Sequence, residues 1–593
     1  MLSTEYSRYS LDNLEDKMST LQTLSYQPLT AIHATLDVLH TCDWNIVIAD
    51  AAIPSERYAA EEFQRWFERA TRIQLPLHTT TEGRGIHHVY IGSDAAGVDP
   101  TGMGDEELRI VVENDRIIIV GGRPRGTLYA VYQFLEELLG LRFLTHDHTH
   151  VPDASQVKIP CGTYRYNPPF SYRGSYYREN SQHTDFAARL KNNTVPTEEQ
   201  LGGKTRQTLI SHSFHLLVPF TQYGTDHPEY YALVDGEHHT DTHGAGPQLC
   251  VTNPEVIEIA ATAAIKYLDE HTNVDNVSVS QADTAAYCQC DVCETVNQRE
   301  GTPMGSQLAF VNAVAERVEK VHPNAKVGTL AYWYTRQIPK TIRPRDNVQI
   351  QLCSIECCTL HAIDDPNCER NRAFCKDTDD WGKISNDIWV WNYNTNFRSY
   401  DLPFPNLRVI GPNVRYFLRN NAKGLFMQAN GTGTTGELCD LRNYLISNLI
   451  WNPNLDDQAV LEEFVRLHYK SAAQPILDYI NMLHDNAEAR GLHPGCFPSA
   501  EEVGLDTEIA RNALDYFTEA HALATEDDVK ARVEKASISV HKAMIVAGSE
   551  QLDAAERSAL IDRYIALCKR YQMTHAAETQ LAEEYFNEIQ GKT

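Results

Sequence analysis

From Phe170 to Pro453 short apolar runs alternate with stretches of helical period, and that alternation restricts the fold more than any other feature of the chain. FSYRGSYYRE, VDNVSVSQAD, AKVGTLAYWYT, NVQIQLCSIEC and DIWVWNYN read as strands, and NVRYFLRNNAKGLFMQA reads as a helix followed by a strand. DFAARLKNN, PEVIEIAATAAIKYLDEH with Asn253 as its N-cap, SQLAFVNAVAERVEKVHP and ELCDLRNYLISNLIWNP read as the helices between them. LISHSFHLLVP reads as a further strand, followed by a long loop over 221–246. Parallel neighbours need crossover connections, usually helical, and about 290 residues of such units suit a (β/α)8 barrel of the TIM type.

The flanks read differently. WNIVIADAAI, HHVYIGS and the hairpin LRIVVENDRIIIVGG are strands. They accompany two helices, one begun at Ser55 as N-cap and one stopped at Gly140. From Asn454 to the end the period is helical throughout. The expected layout is α/β: an N-terminal arm over 1–30, a small α/β sandwich over 31–165, the barrel over 166–453 and a helical C-terminal domain over 454–593.

A net charge of −28 disfavours nucleic acid, anionic membranes and strongly acidic polysaccharides as partners. No apolar run reaches 18 residues, so no membrane span is expected. The first 22 residues lack a basic region followed by an apolar one, and the 14 cysteines then read as reduced thiols of a cytoplasmic protein. No strand is followed by GxGxxG, and P-loop and HExxH motifs are absent, so nucleotide and zinc-protease chemistry have no footing.

Acidic residues recur where apolar strands end, and strand ends at the C-terminal face of a parallel barrel carry catalytic side chains. Cleaving a glycosidic bond takes a general acid and a group that stabilises an oxocarbenium-like centre, either a second carboxylate or the substrate's own acetamide. Glu356, closing NVQIQLCSIE, is the first choice for the acid, and the adjoining apolar strand is expected to desolvate it and raise its pKa. The competing reading is a salt bridge to Arg178 or Arg336. Asp283 is the second carboxylate or the partner of a substrate amide, against the common use of Asp as a turn cap. Glu437 is a third candidate, although a glutamate in a first helical turn also complements the dipole there.

For substrate binding the candidates are His212, His215, His227, Tyr332, Trp391, Tyr393, Gln428 and Arg178. On a strand His212 and His215 face opposite sides, so one lines the site and they share no metal. Trp389, Trp391 and Tyr393 share a face, which gives a stacking platform for a sugar if it points inward. Cys288, Cys290 and Cys293 form a thiol cluster suited to structural zinc, with a fourth ligand from Cys353, Cys357 or a histidine; catalysis itself needs no cofactor.

GGRPRGTLYAVYQFLEELLGLRFLT, HPEYYALVDG, VSVSQADTAAYCQCDVC, FVNAVAERVEKVHPNAKVGTLAYWYTRQIPK, CSIEC and NLIWNP together resemble a bacterial glycosidase-like group that includes glycoside hydrolase family 163, the endo-β-N-acetylglucosaminidases of complex N-glycans. The resemblance runs from Ile46 to Trp451. It implies an N-terminal domain like the one preceding the barrel in hexosaminidases and α-glucuronidases, and a catalytic barrel with Glu356 as acid and Asp283 beside it. It also implies a β-N-acetylglucosaminidase-like glycoside hydrolase, retaining, acting on N-acetylglucosamine-containing or other neutral oligosaccharides or glycosides. The chain departs from the group at GLFMQAN, where relatives often carry a glutamate and Met427 and Gln428 stand here. That departure motivates the alternative of a non-catalytic carbohydrate-binding barrel. The thiols motivate a third, a sugar lyase using a metal. Self-association as a homo-oligomer stays open.

Overall fold

The computed structural model describes residues 23–28, 34–81, 85–240 and 246–592. Most of the expected arm and part of the 221–246 loop therefore lie outside the described residues. Within the arm, Ser25–Pro28 (β1) is an edge strand rather than a loose tail, paired antiparallel with Gly162–Tyr166.

Among the described residues the N-terminal part holds a seven-stranded mixed sheet. After β1 its strands in chain order are Asn45–Val47 (β2), Leu77–His78 (β3), His88–Ile91 (β4), Leu108–Val112 (β5), Arg116–Gly121 (β6) and Gly162–Tyr166 (β7), arranged β1-β7-β5-β6-β4-β2-β3. Helices Pro54–Thr71 and Gly126–Leu138 cover it, burying Phe63, Phe67 and Phe134 against one another. The first helix is capped at Ile53, not at Ser55. Pro54 is already preorganised for the first helical position, so the boundary moves upstream, and Ser55 Oγ instead donates to Pro124 O at 2.6 Å.

The central region is a curled parallel sheet of Tyr172–Tyr176 (β8), Asn276–Ser278 (β9), Lys326–Ala331 (β10), Val348–Cys353 (β11), Ile388–Tyr393 (β12) and Ala422–Gln428 (β13), in the order β8-β13-β12-β11-β10-β9. These are six regular strands among the described residues, not eight. LISHSFHLLVP does not form a strand. Asn276 Oδ1 accepts from Thr208 N at 2.6 Å while its Nδ2 donates to Thr208 O at 2.9 Å, and Ser278 Oγ bonds both Ser211 N and Ser211 O. At the opposite edge, Asn193 and Asn192 side chains accept from Arg173 N and Ser175 N. Short polar side chains satisfy the backbone at both edges and take the place of a ladder, so the chain between β8 and β9 stays irregular.

The inward residues lie in layers, as the pleat of a parallel barrel requires. Tyr172, Gly424, Trp389, Gln351 and Leu330 are in register across five strands; above them come Gly174, Phe426, Trp391 and Cys353, then Tyr176, Gln428 and Tyr393. Gly424 is needed here: a Cβ on it would lie 2.6 Å from the Trp389 ring. The N-terminal sheet is anchored beneath through Arg173, fully buried and ion-paired with Glu106, which also accepts from Arg125 Nε at 2.6 Å.

Helices from Asp457–Tyr469 to Ala582–Ile589 form the C-terminal lobe, and its irregular segments come back to the top of the barrel. Tyr400 N donates to Ala576 O, Glu578 N to Phe397 O and Phe397 N to Cys496 O, at 2.9, 3.0 and 2.9 Å. Among the described residues no helix is long and apolar enough to cross a membrane.

Candidate active site

The upper ends of β10 to β13 converge on one opening. Trp389, Trp391 and Tyr393 do face inward; Trp389 is sealed in the layer below, while Trp391 and Tyr393 reach the mouth, half-buried, with rings near parallel at 6.4 Å. Trp391 also meets Phe426 edge-on at 4.9 Å, and Trp391 Nε1 donates to Gln428 Oε1. The indole can only donate, so it orients the Gln428 amide, whose Nε2 then points to Glu578 Oε1 at 3.4 Å.

Asp283, about half exposed, follows β9 and accepts from the Tyr332 hydroxyl at 3.1 Å. His212 lies edge-on to Tyr332. Its Nδ1 sits 2.7 Å from Gln281 O, an acceptor, so Nδ1 carries the proton and Nε2 is turned toward Asp283 Oδ1 at 3.8 Å. Burial, reinforced by the charge of Asp283, pushes the Tyr332 hydroxyl well above its ordinary value and fixes it as a donor. Burial does the same to Tyr393, and to the Cys353 thiol, where Glu356 and Asp283 add to it.

Glu356 is at this opening, but not as expected. It is 38% exposed and ion-paired with Arg336, whose Nε also bonds Asp377 Oδ2 at 2.6 Å. The ion pair with Arg336 is the arrangement that competed with the acid role. The group that is desolvated is Glu578, from the C-terminal lobe. Burial and then the negative charge of Asp283 raise its pKa above the ordinary carboxylate value. No sequence signal marked it, because it lies 150 positions from Gln428, on a turn outside any strand or helix.

Other candidates fall elsewhere. Glu437 is fully buried, bonded to Arg442 Nε at 3.0 Å and to the Tyr479 hydroxyl at 3.3 Å; it ties the segment after β13 to helix Ala473–Ala489. Its carboxyl is pushed up by burial, against the pull of Arg442. Arg178 opens helix Arg178–Gln182 and lines a different, shallow cleft of about 60 Å³, with His146, His183, Asp440 and Lys535. His215 is on the short helix Phe214–Leu217, packed against Gly246, so the two-faced strand geometry read for His212 and His215 is not formed. His227 stacks on Tyr230 at 4.5 Å and bonds Glu229.

Cys288, Cys290 and Cys293 do gather, with Cys250 as the fourth thiol rather than Cys353 or Cys357; all four sulfurs lie within 4.8 Å of one another. Cys353 faces the barrel interior instead. The Cys250–Cys290 separation of 3.8 Å equals what tetrahedral zinc imposes, roughly 3.8 Å for Zn–S bonds near 2.3 Å.

A curled parallel half-barrel sheet with helices around it, and with carboxylates and half-buried aromatic rings at the C-terminal ends of its strands, is the class these features define. The chain belongs to the family described as Domain of unknown function (DUF4838), which matches residues 143–481. No curated protein matches it. Among solved structures it is similar to CpGH84D, with 10% identity and a TM-score of 0.42 over 98% of this chain and 95% of that one. It is similar to the Flavobacterium johnsoniae chitobiase FjGH20, with 13% identity and a TM-score of 0.45 over 94% and 99%. It is similar too to a GH138 enzyme targeting pectin rhamnogalacturonan II, with 9% identity and a TM-score of 0.46 over 93% and 98%.

Proposed function

We propose that this protein is a glycoside hydrolase that binds an N-acetylated or other neutral hexose at the barrel mouth and cleaves the bond at its anomeric carbon. The reading is carried by Glu578: a carboxyl with raised proton affinity, electrostatically linked to Asp283 and bonded to the Gln428 amide that Trp391 orients.

Glu578 donates its proton to the glycosidic oxygen as the bond breaks. Asp283, steadied by Tyr332, faces the positive charge that develops on the ring, or accepts the N–H of a substrate acetamide so that the acetamide oxygen closes onto the anomeric carbon. Water then enters, giving up its proton to Glu578, and the configuration is retained. Trp391 and Tyr393 supply the apolar face for the sugar, and Glu356 with Arg336 offers hydrogen bonds to hydroxyls at the rim. A uronate would meet Asp283, Glu356 and Glu578 together, which favours a neutral sugar. A zinc ion held by Cys250, Cys288, Cys290 and Cys293 would have four protein ligands and would serve the fold rather than a lyase reaction.

A panel of chromogenic glycosides headed by the N-acetyl-β-glucosaminide tests the reading. Hydrolysis of one or more members, lost in Asp283→Asn, with Glu578→Gln losing turnover of glycosides whose leaving group needs a proton, is the expected result. Calorimetric binding of N-acetylglucosamine with no turnover of any member would establish the binding-protein alternative in its place.

A further inference from the structure

A second cluster of metal-binding side chains lies next to the active-site turn. Cys358 and His361, on the segment that follows Glu356, meet Cys368 at the N-cap of helix Glu369–Ile384 and His493 from the C-terminal lobe. The two sulfurs and two ring nitrogens all lie within 4.8 Å of one another. Cys358 Sγ is 3.2 Å from His361 Nδ1, Cys368 Sγ is 3.3 Å from His493 Nδ1, and the two imidazoles lie face to face at 4.2 Å.

We propose that Cys358, His361, Cys368 and His493 bind a zinc ion that pins the Glu356 turn to the C-terminal lobe. Two thiolates and two imidazoles form a set that zinc takes up, and tetrahedral bonds of about 2.3 Å to sulfur and 2.0 Å to nitrogen place S and N roughly 3.6 Å apart. The observed separations need to open by only a few tenths of an ångström. Cys358 and Cys368 are buried, whereas the stretch from Ser354 to Asn367 holds no helix or strand. The segment thus lacks a ladder of its own, and its order comes from side chains and from bonds across to residues 493–496. Thr359 N donates to Pro494 O at 3.0 Å, Arg370 Nη1 to His493 O at 2.9 Å, and Arg370 Nε to Glu356 O at 2.8 Å. A metal here closes a loop of 125 residues between Cys368 and His493 at the same seam. It is a positioning device, because Glu356 is two residues from the first ligand and is joined to it through the backbone alone.

The test is metal stoichiometry on the full chain, purified without chelator and measured by elemental analysis, followed by replacement with Co²⁺. His493 is exposed, so His493→Ala leaves the core intact. It is expected to carry one zinc per chain fewer than the wild type and to lose the cobalt–thiolate absorption belonging to this site. Cys290→Ser, in the four-thiol cluster, is expected to leave that absorption in place. His493→Cys restores a ligand and is expected to regain the lost equivalent, which separates ligation from folding. Wild type and His493→Ala with equal metal content would overturn the proposal. A Cys358–Cys368 disulfide in the metal-free wild type, seen by peptide mass mapping, would overturn it as well.

Discussion

Gln428, the last residue of β13, donates its side-chain amide to Glu578 of the C-terminal lobe at 3.4 Å. The strand carries no carboxylate at its own end, and a residue from another domain brings one to it. Gln428 cannot ionise, so it neither repels Glu578 nor draws off its proton. On the proposed reading, the position that looked like a lost catalytic group holds one that arrives from elsewhere.

Replacing Glu578 by Gln is expected to lower kcat/KM by about 10²–10⁴-fold on substrates with poor leaving groups, and far less on aryl glycosides whose leaving group needs no proton. The basic limb of the wild-type pH profile reports this group, since activity falls as pH rises through a pKa raised by burial and by Asp283. A raised carboxyl binds its proton more tightly in the folded state, so its stabilising contribution is present at low pH and lost as pH rises through the folded pKa. Glu578→Gln should therefore leave Tm at neutral pH undiminished. A variant that loses activity by unfolding would show a lowered Tm instead.

Tyr332→Phe removes the donor to Asp283 and keeps the ring. The expected effect is roughly 10-fold in kcat with KM little changed, from one hydrogen bond to a charged group of about 1.5 kcal/mol. Asp283→Asn should lose far more, and the double variant should fall close to Asp283→Asn alone, because both changes act on the same contact. Additive losses in the steady-state rates would show that Tyr332 acts independently of Asp283.

Trp391→Ala takes away a stacking face and the bond that orients Gln428. KM is expected to rise by roughly 3- to 10-fold from the stacking term of about 0.5–1.5 kcal/mol, and kcat to fall as Glu578 loses its holder. Trp391→Phe keeps a ring and loses the indole donor, so it should spare KM and still lower kcat. Steady-state kinetics of the two variants separate the two roles.

Arg173→Met leaves Glu106 buried with Arg125 as its remaining ionic partner, and about 3–5 kcal/mol of stability should be lost in urea unfolding. Burial opposes the ionisation of Glu106, yet Arg173 and Arg125 outweigh it and hold its pKa below the ordinary value. A depressed carboxyl stabilises the fold above its unfolded pKa, and that contribution disappears as pH falls through the folded one. The wild type should therefore lose stability on the acid side more steeply than Arg173→Met.

Much of the architecture was legible because it is periodic. β10 to β13 and the long helices follow from runs of period two or 3.6, and the inward face of Trp389, Trp391 and Tyr393 follows from strand alternation. The strand read at LISHSFHLLVP failed because Ser278 Oγ takes the Ser211 backbone, while Ser213 Oγ and His212 Nδ1 bond the backbone of Ser278 and Gln281, and apolar alternation carries no record of that. Ser55 failed as a cap because a proline one residue earlier had already begun the helix.

The candidate site was legible in part for the same reason. Asp283, Tyr332, Glu356, Trp391 and Gln428 all stand at or just beyond strand ends, where local pattern places them. Glu437 obeyed the same rule and yet is sealed against Arg442 and Tyr479, because a helix of the C-terminal lobe covers it. Spacing such as Cys-x-x-His at Cys358 and His361 is a metal signal the sequence did contain, whereas its completion by His493 is not.

Sequence by itself determined the elements, the inward faces and the acidic, aromatic character of the barrel mouth, since each depends on neighbours a few residues apart. Tertiary structure alone decided that Glu578 is desolvated, that Arg336 rather than Arg178 pairs with Glu356, and which thiols and imidazoles gather. Desolvation and charge depend on distances through space, and Glu578 and His493 reach their partners across more than a hundred residues of chain.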